Sequence, residues 1–329
     1  MTPLAPHLTE FLCERLPRQR GASEHTCASY AYAFQLLLQF ASGRLRVTPS
    51  ALSLEQLDAP LVMDFLQHLE TTRHNSPRTR NARLVAIKSF LRFLEYRVPS
   101  LLEQSRRILA LPAKRTDSRL ISYLSLEEMQ AVLDAPNLHD REGIRDRAML
   151  HLCFAAGLRV SELVHLPLGA VEFAPSPTIR IHGKGRRERL LPLWKETATD
   201  LRAWLAVRGH PRVPELFVNA RDQTMTRWGF EYLLRKHGRT ATAQCPSLQA
   251  KRLSPHVLRH TAAMVVLQAT GDIRKVSLWL GHADIQTTEA YLRADPTEKL
   301  DAMQSMVPPA LKRGQFRAPD KLIASLHAN

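Results

Sequence analysis

The stretch "LGHADIQTTEAYLRAD", residues 280–295, places His282 behind a glycine and Tyr291 nine positions later. A tyrosine so placed either packs a helix against a core or acts as a nucleophile. For the second role a phenol, with an ordinary pKa of about 10, needs cations and a base close by. Three earlier stretches concentrate cations beside turns: "AAGLRVSELVHL" with Arg159, "HGKGRRER" with Lys184, Arg186 and Arg187, and "SPHVLRHTAA" with His256 and Arg259. Ser254 reads as a helix cap and Pro255 as a first-turn residue. His256 and Arg259, at i and i+3, are then expected on one face near the positive end of a helix, a face that suits a phosphate. Each feature also has a plain structural reading. Arg159 can pair with Glu162 at a helix end, Lys184 can be an exposed hairpin-tip residue, and a His-x-x-Arg pair can sit idle on a surface; taken singly, each structural reading is the stronger one.

The elements that must position these residues are legible in outline. In "TCASYAYAFQLLLQFA" Tyr30, Phe34, Leu37 and Leu38 recur at helical spacing, and "LDAPLVMDFLQHLE" opens with Asp58 as N-cap and Pro60 in the first turn. "SPRTRNARLVAIKSFLRFLEYR" carries Leu84, Ile87, Leu91 and Leu94 on one face, with Arg78, Lys88 and Arg92 projecting elsewhere. From Leu111 to Leu120 the periodicity lapses around Pro112 and basic residues, which predicts an interdomain linker. "SLEE", beginning at Ser125, is a capping box, and "REGIRDRAMLHLCFAAGL" predicts a long apolar helix stopped by Gly157. "TIRIHGKGRRERLLPL" alternates about a Gly-Lys-Gly turn, so Thr178 to Ile181 and Glu188 to Leu193 are expected to form a β-hairpin.

Composition bounds what such a chain can be. Its 329 residues, 44% of them hydrophobic, suffice for two domains with real cores. Forty-six Lys and Arg against 31 Asp and Glu give a formal charge of +15, spread along the chain, which points to a polyanionic partner. Cys13, Cys27, Cys153 and Cys245 lie far apart with no zinc-ligand spacing, and read as reduced thiols in a cytoplasm. No apolar run approaches about 20 residues and the N-terminus lacks a signal pattern, so membrane insertion and export are not expected.

Taken together and in order, the motifs resemble the tyrosine recombinase and integrase family. They are "GLRVSEL" for a first catalytic arginine, a lysine in a β-hairpin turn, "HVLRH" for a His-x-x-Arg box, and "LGHADIQTTEAY" for a final histidine and tyrosine. The match spans about Ser125 to Asp295. The resemblance implies a mainly α fold with a small β-sheet: a helical, SAM-like core-binding domain at 1–110, a linker at 111–120, a mixed α/β catalytic domain at 121–295, and a tail at 296–329 that docks on a neighbouring protomer. It implies that Arg159 and Arg259 grip the scissile phosphate, His256 helps accept the tyrosine proton, and His282 adds a hydrogen bond. Lys184 would protonate the leaving 5′-oxygen, and Tyr291 would attack phosphorus to form a 3′-phosphotyrosine. Glu162 is expected to orient or cap. The chemistry requires no metal, cofactor or ATP, and no phosphate-binding loop motif occurs. The partners implied are double-stranded DNA recombination sites and further copies of the chain, as a tetramer of two DNA-bound dimers, with sister recombinases or accessory DNA-bending proteins also compatible. Arg78, Lys88, Arg92, Arg186 and Arg187 are expected to touch DNA.

Three rival readings stand beside this one. A type IB topoisomerase shares the chemistry but only relaxes supercoils, and a non-catalytic DNA-binding regulator would use the basic surface without cutting. Within the family, the extension after Tyr291 favours the integrase or transposase of a mobile element, and the compact chain favours a Xer-like resolvase.

Overall fold

The computed structural model describes residues 1–116, 120–183, 188–282 and 285–295. Lys184, Arg186, Arg187 and the tail 296–329 lie outside the described residues. The chain divides into two units, Met1–Ser118 and Arg119–Asn329. Among the described residues no helix is long and apolar enough to cross a membrane.

The first unit is helical. Helix α1 (Leu4–Glu10) runs on into a wider π-helical stretch, Phe11–Gln19, and is followed by α2 (Glu24–Leu45), α3 (Ala59–Thr71), α4 (Pro77–Leu94) and α5 (Leu102–Leu109). Side-chain caps start the longer helices: Asp58, as expected, accepts from the Leu61 N–H, and Ser23 and Ser76 accept likewise from Thr26 and Thr79. Their apolar stripes meet in a core where Phe11, Phe34, Phe65 and Phe90 are each at most 1% exposed. Burying each such ring contributes about 2–3 kcal/mol. Phe90 packs edge-on against both Phe11 and Phe34, with ring centroids 5.3 Å apart in each case.

On the outer side of α4, Arg78 and Arg92 are exposed as expected. Lys88 departs from that expectation. It is half-buried, and its ammonium donates to the Leu111 carbonyl at 2.6 Å. Burial, then the charges of Arg92 and Arg80, pulls its pKa below the ordinary lysine value. The start of the expected linker is fastened to α4 in the same way. Arg80, 3% exposed, donates to the Pro112 carbonyl at 3.0 Å, and the Asn81 amide bonds both the N–H and the carbonyl of Lys114. A stretch without hydrophobic period is held here by side chains satisfying its backbone.

The second unit begins at Ser125, whose full capping box with Glu128 starts α6 (Leu126–Asp134). Then come α7 (Arg141–Ala155), α8 (Val160–Val164), a three-stranded sheet, α9 (Lys195–Arg208), α10 (Arg227–Ala241), α11 (Pro255–Thr270), α12 (Ile273–Leu280) and α13 (Glu289–Ala294). Helix α7 buries every residue from Ala148 to Ala155, which is why its sequence is apolar on all sides in its second half. It packs along α9 and α11. The sheet has the order β1 (Val171–Glu172), β2 (Thr178–His182), β3 (Glu188–Pro192), all antiparallel. Ile179 pairs with Leu191 and Ile181 with Arg189, so Ile179, Ile181 and Leu191 face the core while Arg180 and Leu190 face out. The hairpin matches its expected strands; the two-residue β1 carries too short a pattern to be read from sequence.

Candidate active site

The site grows from three chain reversals in the second unit. After α7 the chain turns at Gly157, with φ +56, and there a Cβ would stand 2.7 Å from a Leu280 methyl. Glycine is needed both for the left-handed backbone and for the close approach of the end of α12. Two residues later Arg159 caps α8. Its N–H donates to Glu162 Oε2 at 3.0 Å and its Nη1 to Oε1 at 2.7 Å. The helix-end ion pair and the exposed guanidinium are therefore the same residue, since the Arg159 side chain remains 33% exposed.

Glu162 orients, as expected, but more than its own helix. Its carboxylate, 6% exposed, also receives Nη2 of Arg189 at 2.8 Å and Nη1 at 3.3 Å, and lies 4.0 Å from Nη1 of Arg259. Burial alone would raise its pKa; hydrogen bonds and charge from Arg189, then the bonds from Arg159, outweigh burial and hold it below the ordinary carboxylate value. Arg189 comes from β3 and was not among the expected site residues. The arginine-rich "GRRER" stretch was a signal, but alternation alone does not say which arginine turns inward. Its Nε is buried and finds no partner among the described residues.

Ser254 caps α11 by accepting from the Val257 N–H, and Pro255 opens the first turn, as expected. His256 and Arg259 diverge, however. His256 is exposed, whereas Arg259 is 5% exposed and aims inward, donating to the Gly157 carbonyl at 2.5 Å and to the Leu280 carbonyl at 2.6 Å. It thereby ties the end of α7 to the end of α12. Burial first, then the charge of Arg159, lowers its pKa to about 10, which leaves it charged at neutral pH.

Gly281, with φ +62, ends α12 and lets the chain fold back, so that the His282 N–H donates to the Ser277 carbonyl. A Cβ on Gly281 would come within 2.9 Å of Arg189 Nη1. His282 Nδ1 lies 2.9 Å from Thr288 Oγ1, and its ring is parallel to that of Tyr291, centroids 6.5 Å apart. Burial, then the charges of Arg259, Arg159 and Arg189, pushes its pKa down to about 4, so it is a neutral imidazole at physiological pH.

Tyr291, on α13, is 3% exposed. Its hydroxyl lies 3.0 Å from Nδ1 of His260, a residue of the "HVLRH" motif that the sequence reading left without a role. In this fold the phenol is desolvated as well as flanked by cations. Burial raises the Tyr291 pKa, and the opposing charges of Arg259 and Arg159 do not cancel it. Arg159, Arg259, His282 and Tyr291 are thus brought into one electrostatic cluster, with Glu162, Arg189 and His260 completing it. His256 stands one turn outward, its ring 6.4 Å from that of His260. Beyond it a cavity of about 960 Å³ is lined by Arg227, Arg235, Arg239, Lys251 and Arg252.

Comparison with known proteins shows the family to which the chain belongs. Residues 122–298 match the model of the phage integrase family, and residues 8–97 match that of the phage integrase N-terminal SAM-like domain. A Sinorhizobium fredii protein named as a candidate integrase/recombinase, y4rC, is 41% identical over 99% of this chain and 98% of its own length. The tyrosine recombinase XerD of Ralstonia nicotianae is 32% identical, over 88% of this chain and 91% of its own. Among solved structures, the XerH site-specific recombinase bound to palindromic difH substrate shares the fold with a TM-score of 0.67 at 21% identity, covering 87% of this chain and 81% of that one. The two helical and mixed α/β units, the arginine cluster around Tyr291 and these matches together place the chain in the phage integrase family of tyrosine recombinases.

Proposed function

We propose that the protein is a site-specific DNA recombinase, the integrase or transposase of a mobile element, that cuts and rejoins strands through a 3′-phosphotyrosine at Tyr291. The observation that carries this reading is the convergence of Arg159, Arg259 and His282 on one buried tyrosine. Guanidinium forks match the non-bridging oxygens of a phosphodiester and stabilise the added charge of a five-coordinate transition state. Arg159 has the exposure to reach DNA. Arg259 holds two carbonyls with two of its five N–H groups, which leaves donors for a phosphate. His282, neutral, donates one hydrogen bond. Lys184, which follows β2 and precedes β3 in the sequence, supplies the proton for the 5′-oxygen, and His256 stands at the rim of the basic cavity. A phosphate entering beside Arg159 and Arg259 would meet a phenol already desolvated and flanked by fixed cations, donors that stabilise the transition state and lower the barrier to attack.

DNA would lie along the cations of α10 and the loop before α11, with Arg78 and Arg92 of α4 touching backbone in the other unit, and Arg186 and Arg187 beside Lys184. Copies of the chain would assemble on paired sites as a tetramer of two dimers, the arrangement expected when four strands must be exchanged. The amphipathic pattern of Leu300, Met303 and Val307 supports a docking role for the tail. A second reading, Xer-type resolution of chromosome or plasmid dimers, is favoured by the match to XerD.

The test is covalent trapping. A nicked suicide duplex, its binding sequence selected from a random pool by the full-length protein, should yield a denaturant-resistant adduct in EDTA. Tyr291→Phe should bind the same duplex with equal affinity and yield none. An adduct formed by Tyr291→Phe would overturn the assignment.

A further inference from the structure

Tyr291 is almost wholly shielded from solvent, so the nearest acceptor for the proton its oxygen sheds on bonding phosphorus is a protein group. The hydroxyl has a partner in place, Nδ1 of His260 at 3.0 Å. The His260 ring meets the Tyr291 ring edge-on, centroids 5.6 Å apart, and so cannot swing away without unpacking it. One turn earlier on α11 the exposed ring of His256 lies 6.4 Å from that of His260. The half-buried imidazole of His260 thus stands between the buried oxygen and the surface, beside the exposed ring of His256.

The charge state suits an acceptor. Burial, then the neighbouring His256 and Arg259, lowers the His260 pKa to about 4, so at neutral pH the ring is uncharged and carries one bare nitrogen. In the tautomer with hydrogen on Nε2, that bare nitrogen is Nδ1, facing the hydroxyl.

We propose that His260 is a catalytic residue: it takes the Tyr291 proton at Nδ1 as the phenolic oxygen attacks, and releases the proton on its Nε2 toward His256 and solvent. This rests on the strand-cleavage reading above. In the step the Tyr291 Oη–P bond forms and the P–O5′ bond breaks. The phenol proton moves to His260 Nδ1, the Nε2 proton passes outward, and the departing 5′-oxygen takes its proton from Lys184. Religation runs the same transfers in reverse. An imidazole so reluctant to stay protonated relays the proton and does not store it. His256 then serves proton transfer at one remove, and the contact with the nucleophile belongs to the last histidine of "HVLRH".

Two substitutions separate proton transfer from simple positioning. His260→Asn keeps an amide where Nδ1 stands and can hold the hydroxyl, but cannot carry a proton. His260→Ala removes both functions and leaves space for free imidazole. With the full-length protein saturated by the selected suicide duplex, both variants should form the Tyr291 adduct about 100-fold more slowly or worse. Binding should match wild type for both, His260→Asn should unfold close to wild type and His260→Ala somewhat below it, and added imidazole should speed His260→Ala but not His260→Asn. Adduct formation by His260→Asn at the wild-type rate would reduce the residue to a positioning role and overturn the proposal. A folded His260→Ala that is as fast as wild type, or slow and indifferent to imidazole, would also overturn it. Wild-type protein that forms no adduct at Tyr291 would instead overturn the strand-cleavage reading on which the proposal rests.

Discussion

Replacing Glu162 with glutamine removes the negative charge that Arg159, Arg189 and Arg259 share. The side chains of Arg189 and Arg259 are 9% and 6% exposed, so water cannot take over the role of the carboxylate. Removing one partner of a buried ion pair costs about 3–5 kcal/mol, because the remaining charge is left uncompensated. Glutamine keeps the shape and one acceptor oxygen, which places the expected loss at the lower end, about 3 kcal/mol. Trp194, Trp204, Trp228 and Trp279 all lie in the second unit, so tryptophan fluorescence during urea unfolding reports that unit alone. With a urea slope of about 2 kcal/mol per molar, the midpoint should fall by roughly 1.5 M. The Glu162 carboxyl is held below its ordinary value of 4.5 in the folded protein. A depressed acid contributes stability above its unfolded pKa and loses that contribution as pH falls through the folded value. The gap between wild type and Glu162→Gln should therefore be full at pH 7 and close as the pH falls below about 4.5. A midpoint shift under roughly 0.5 M at pH 7, or a gap that widens in acid, would refute the picture of one carboxylate neutralising the cluster.

The remaining predictions probe the neighbours of this cluster and the basic surface. Gly281→Ala should lower stability by about 1–2 kcal/mol from its left-handed backbone alone. It should also slow adduct formation, because the new Cβ, 2.9 Å from Arg189 Nη1, pushes that guanidinium off Glu162; wild-type behaviour in both assays would contradict this. Replacing Arg78 and Arg92 together by glutamine should reduce the salt-dependence slope of DNA binding by about 2, since each phosphate contact contributes about 0.9. Lys88→Gln should leave that slope unchanged, because its ammonium bonds the Leu111 carbonyl, and a reduced slope would return Lys88 to the DNA surface.

Much of the site was legible in the sequence because its signals are local. A capping serine before Pro255, a glycine that ends α12 ahead of His282, and the alternation of Thr178–His182 each act within a few residues. A chain need not be folded for such patterns to be read, and the order of the motifs singled out Arg159, Arg259, His282 and Tyr291, which the fold brings into one cluster. What escaped was long-range and decided by burial. His260 and Arg189 meet Tyr291 and Glu162 across 31 and 27 residues of chain, and Lys88 reaches Leu111 across 23. Nothing local distinguishes an arginine that turns inward from one that faces solvent, or the histidine that touches a tyrosine from its neighbour one turn away. The acidity of the Tyr291 phenol is likewise a tertiary property. The sequence supplies cations that would acidify the phenol, but the packing of α13 against α11 desolvates it, and in this fold desolvation is the larger effect.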